Sequence, residues 1–61
     1  MNKREYKQIV TLHKTSKVPS KLIIEMILHH YISSTQNIDE AISTAAHTIA
    51  RFYKEEVMRS E

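Results

Sequence analysis

Glycine, cysteine and tryptophan are all absent from this 61-residue chain, which holds one proline and one phenylalanine. Without glycine, the residue that most easily takes a positive φ is missing. A fold with many tight turns is therefore excluded, and so is a glycine-rich phosphate loop. Without cysteine there are no disulfides and no thiolate metal sites, which suits a reducing cytoplasm. Long hydrophobic runs are missing too. The most apolar stretch, LIIEMIL at 22–28, is broken by Glu25. It is far shorter than the roughly 20 residues that a bilayer crossing needs. The charged start MNKREYKQ is not followed by an apolar leader core. These features lead us to expect a soluble, cytoplasmic chain without membrane attachment.

What is present has to fold with little surface to bury. A chain of this length makes one domain, here residues 1–61, and covers only about 60% of the surface its unfolded form exposes. With disulfides excluded, a partner chain is the remaining staple. The net charge of +2 hides an asymmetry. In residues 1–21, Lys3, Arg4, Lys7, Lys14, Lys17 and Lys21 stand against Glu5 alone. In residues 22–61, Arg51, Lys54 and Arg59 stand against Glu25, Asp39, Glu40, Glu55, Glu56 and Glu61. A basic end on an acidic body points to an anionic partner, with a solvated lysine-rich tail as the plainer alternative.

Two turn signals, HKTSKVPS and SSTQN, cut the chain into three elements. The spacing predicts a last helix over about 38–58. Its apolar positions, among them Ile42, Ala45, Ala46, Ile49 and Phe52, fall at helical intervals. Asn37 is a good N-cap with Glu40 three residues on, and Asp39 and Glu40 suit the positive helix N-terminus. The alanines either admit a second helix closely or are helix-forming filler. A middle helix is predicted over about 18–34, opened by Pro19. Lys21, Glu25, His29 and Ser33 give it one narrow polar stripe. Leu22, Ile23, Met26, Ile27 and Tyr31 help to cover nearly all the rest. A helix this apolar must be covered on several sides, so a homodimer or higher oligomer is expected.

The stretch YKQIVTLHK, residues 6–14, is ambiguous. Ile9, Val10 and Thr11 are β-branched, which favours a strand over about 7–12 following a basic arm at 1–5. Read as a helix, Tyr6, Ile9, Val10 and His13 form a stripe with Leu12 beside it. A lone strand would pair with the same strand of a second copy in a two-stranded ribbon. A strand followed by two helices, as an obligate dimer, resembles the ribbon–helix–helix family of DNA-binding regulators. The resemblance is best in NIDEAISTAAHTIARFY at 37–53, similar to that family's second helix. QIVTL is similar to its strand, with Val10 and Leu12 turned to the core. The fold expected is thus mainly α with one short N-terminal strand, and the alternative is an all-α three-helix bundle.

The resemblance implies a cytoplasmic homodimeric repressor that places the ribbon in the major groove of double-stranded DNA. Lys7, Ile9 and Thr11 would face the bases. Lys3, Arg4, Lys14 and Lys17 would hold phosphates, and so would the helix N-terminus at Ile38. Val10, Leu12, Leu22, Ile23, Met26, Ile27, Tyr31, Ile42, Ala45, Ala46, Ile49 and Phe52 would form the core and dimer interface. The rival reading is a three-helix protein–protein module, such as a phage or plasmid inhibitor or anti-repressor, with residues 4–15 helical and the basic end docked on an acidic protein. Membrane-surface binding fails for want of an apolar face on the basic segment. No cofactor, metal, small-molecule substrate or enzymatic activity is expected. Adjacent His29 and His30 point about 100° apart on a helix, and no ligand set stands at a known spacing.

Overall fold

The structure is a computed structural model, described here for residues 1–58. It contains three α-helices: α1, Lys3–Thr15; α2, Ser20–Ser33; and α3, Ile38–Phe52. A single π-helical turn, Tyr53–Val57, continues α3. Among the described residues there is no strand. This overturns the ribbon–helix–helix expectation. Residues 7–12 lie within α1, so the two-stranded ribbon does not exist, and the all-α alternative is the fold observed.

The physical reason begins at Asn2. Its side chain accepts from the Glu5 amide at 2.8 Å, and the Glu5 carboxylate accepts from the Asn2 amide at 3.3 Å. This reciprocal cap satisfies donors that the first helical turn leaves open. Lys3 and Arg4 therefore sit in a helical turn and not in an arm. The helical stripe of Tyr6, Ile9, Val10 and His13 then meets an apolar surface within its own chain, where all four are partly buried. A β-branched run favours strands mainly by fitting a half-buried pleated surface, and a helix that packs equally well removes the advantage.

The turn after α1 takes a left-handed residue, and in a glycine-free chain that residue is Lys17, with φ of 55°. The position just past a helix end is the one glycine usually fills, and a side chain there costs about 1–2 kcal/mol. His13 helps to hold the turn. The Val18 carbonyl can only accept, so the His13 Nδ1–H donates to it at 2.7 Å. The same ring stands edge-on to Phe52, with centroids 5.2 Å apart and planes at 79°.

The core is small. Ile23 and Ile27 of α2 and Phe52 of α3 form one fully buried cluster. Ile23 lies near the start of α2 and Phe52 ends α3, so the two helices run antiparallel around a four-residue connection, 34–37. Ala41 and Ala45 are buried along the same seam. The Tyr31 and Thr48 hydroxyls share a hydrogen bond across it at 3.0 Å. Each fully buried isoleucine contributes roughly 1.5–3 kcal/mol. α1 lies along one side of this hairpin, near the C-terminal end of α3. Asn37 caps α3 by accepting from the Glu40 amide at 3.1 Å.

Candidate functional site

α1 presents two faces of different chemistry. At about 100° per residue, Lys3, Lys7, Val10 and Lys14 fall on one line, with Arg4 and Thr11 beside it. The three lysines, Arg4 and Thr11 are exposed. Among the described residues, no carboxylate lies within ion-pair distance of Lys3, Arg4 or Lys7. Lys14 is paired with Glu56 at 3.2 Å. Arg4, Lys7, Gln8, Thr11 and Leu12 line one open trough, and Leu12 within it is 40% exposed.

A second hollow of about 320 Å³ lies where α1 meets the end of α3, lined by Lys3, Tyr6, Lys7, Val10, Arg51 and Glu56. Glu56 of the π-helical turn forms part of its wall, and the two consecutive acids of that turn both reach α1, Glu55 at Tyr6 and Glu56 at Lys14. The Tyr6 hydroxyl donates to Glu55 at 3.0 Å. Arg51 Nε donates to the same carboxylate at 3.2 Å, and its guanidinium lies 4.6 Å from the Tyr6 ring centroid. Burial, then the Glu55 carboxylate, push the Tyr6 phenol up to about 12.

That shift has a testable sign. An unfolded tyrosine ionises near pH 10. The folded protein holds its proton longer, so Tyr6 contributes stability that is fully present below about pH 10 and is lost as pH rises towards 12. The loss is on the order of 1 kcal/mol after allowance for solvent screening at this partly open site. Denaturant melts between these pH values should show it, and Tyr6→Phe should flatten that part of the profile.

The residues expected to read bases do not share a face. Lys7 and Thr11 point outward one turn apart, while Ile9, about 200° around from each, is partly buried against the core. The Thr11 hydroxyl donates to the Lys7 carbonyl at 2.8 Å. Of the expected phosphate set, Lys3, Arg4 and Lys14 are gathered on α1, Lys17 sits in the following turn, and Ile38 opens α3, 53% exposed. Of the expected core and interface set, Ile23, Ile27, Ala45 and Phe52 are buried. Val10, Tyr31 and Ile49 are partly buried, and Leu12, Leu22, Met26, Ile42 and Ala46 are exposed. Ala41, absent from that set, is buried.

Among the described residues, no group of three or more His, Asp or Glu side chains is arranged to hold a metal ion. No helix of the described residues is long and apolar enough to cross a membrane. No family model matches the chain. No curated protein and no solved structure shows significant similarity to it either. The functional reading therefore rests on the chemistry of these surfaces.

Proposed function

We propose that the protein is a small helical interaction module that docks an acidic protein surface through α1. One observation carries this reading. The outward side of α1 sets the cations Arg4 and Lys7, unpaired among the described residues, around the exposed Leu12 in a single trough. An apolar anchor with a charged rim is the anatomy of a protein-binding surface. A phosphate track needs cations spread along the backbone and gives no use to an open leucine. The compartment we propose is the cytoplasm, where a fold held without cysteine loses nothing to reduction.

Chromatography on immobilised poly-glutamate tests the electrostatic half. The protein should be retained at low salt, and Arg4→Glu with Lys7→Glu should release it at markedly lower salt. Lys14→Glu should shift elution less, because Lys14 is already engaged by Glu56. Base-selective binding to duplex DNA, measured against mixed-sequence competitor, would overturn the proposal.

A further inference from the structure

The α2–α3 hairpin has a second long face, and α1 does not cover it. His30 faces α1, with Nδ1 at 3.9 Å from the Glu5 carboxylate, and Arg51 lies over Tyr6 of α1. Leu28 stands two residues from His30, and Ile49 and Tyr53 each stand two residues from Arg51. Two residues turn a helix by about 200°, so these three side chains point away from α1. Ile42, seven residues from Ile49, shares its direction. On this face Ile38 is 53% exposed, Ile42 49%, Tyr53 47% and Ile32 36%, and Ala46 is also open. Monomers seldom leave a contiguous apolar patch larger than a few hundred Å².

The pattern of the face selects its occupant. Along α3 the positions on this face are 38, 42, 46, 49 and 53, of which Ile49 is partly buried at the inner edge. The series reads nearly the same in both directions about Ala46. Laid antiparallel on a copy of itself, α3 sets Ala46 against the partner's Ala46, Ile42 against the partner's Ile49 and Ile38 against the partner's Tyr53. A twofold axis requires such reciprocal pairing. Along α2, positions 24, 28 and 32 are symmetric about Leu28 in the same way. Charge agrees with this direction. The first turn of α3 carries Asp39 and Glu40, while its far end balances Arg51 and Lys54 against Glu55 and Glu56, with Arg51 turned towards α1. Antiparallel stacking holds the two acidic first turns apart and opposes the helix dipoles, whereas parallel stacking would bring those acids together.

The size agrees as well. One long side of a body measuring 35 × 19 × 18 Å has room for the roughly 800 Å² per partner that stable interfaces bury. We propose that the protein is an antiparallel homodimer in which two α2–α3 hairpins pack face to face, with Ala46 at the twofold axis. The small alanine lets the two α3 helices approach closely. The basic faces of the two α1 helices then lie on opposite outer sides of the dimer.

The absence of cysteine makes the test clean. In the full-length protein, Ala46→Cys places two thiols at the axis, within reach of a disulfide. Under mild oxidation it should form a covalent dimer at least about tenfold faster than His47→Cys, which points elsewhere on the same helix, because pairing raises the effective thiol concentration. Sedimentation of the unmodified chain at micromolar concentration should give twice the chain mass. Ile42→Glu should return it to one chain while keeping the helical circular dichroism. A wild-type chain that sediments as a monomer, or Ala46→Cys cross-linking no faster than His47→Cys, would overturn the proposal. So would a dimer that survives Ile42→Glu.

Discussion

Phe52→Ala is expected to leave the chain without a stable fold at room temperature. Phe52 is the one phenylalanine, is fully buried, and belongs to the cluster with Ile23 and Ile27 of α2. The edge-on contact with His13 also joins it to α1, so one ring binds all three helices together. Removing a buried phenylalanine costs about 3–5 kcal/mol, as transfer free energy and as the cavity left behind. A single core in a chain this short rarely supplies more than about 3–5 kcal/mol in total. Loss and reserve are therefore equal in scale. The variant should lose amide-proton dispersion and any cooperative thermal transition. His47→Ala, on an exposed position of the same helix, should change stability by no more than about 0.5 kcal/mol. A cooperative melt near the wild-type temperature for Phe52→Ala would mean that the core lies elsewhere.

The same cluster shows what could be read from the amino-acid order and what could not. The start of α3 was legible because a cap is a local device. Asn37 and Glu40 stand three residues apart in the sequence, and the amide of one is bonded to the side chain of the other in the structure. α2 was legible from Pro19 and from its polar stripe, and Lys21, Glu25, His29 and Ser33 are all exposed. The N-terminal element was misread for a reason that is also local. Asn2 and Glu5 have the same spacing as Asn37 and Glu40, a cap signal ahead of the β-branched run at 9–11 that the strand expectation leaves out. Strand propensity expresses how a side chain packs, and packing against Ile23, Ile27 and Phe52 is a tertiary fact. The role of His13 was hidden for the same reason. Its partners are a carbonyl in the next turn and a ring thirty-nine positions away. The candidate docking face was half legible. The cations were visible as a charge run, but their line along one side of α1 required the helix.

The alanines of α3 admitted two readings, close approach or filler, and Ala45→Leu separates them. Ala45 is fully buried and Ala41 nearly so, both on the seam that α3 shares with α2. Small side chains at i and i+4 let one helix ride close on another. Leucine at Ala45 needs room that the seam holds only if the helices part, and parting them would pull Phe52 off Ile23 and Ile27. Overpacking of this kind costs about 1–3 kcal/mol. Alanine and leucine have nearly equal helix propensity, so a loss of this size must arise from packing. Ala50→Leu is the matched control, since Ala50 is exposed on the same helix. Urea melts should place Ala45→Leu well below wild type in midpoint with the slope unchanged, and Ala50→Leu close to wild type. If the alanines were filler, both variants would melt like the parent. With a reserve of only a few kcal/mol, the buried substitution removes a large share of it, so the difference should be visible in a single denaturation series.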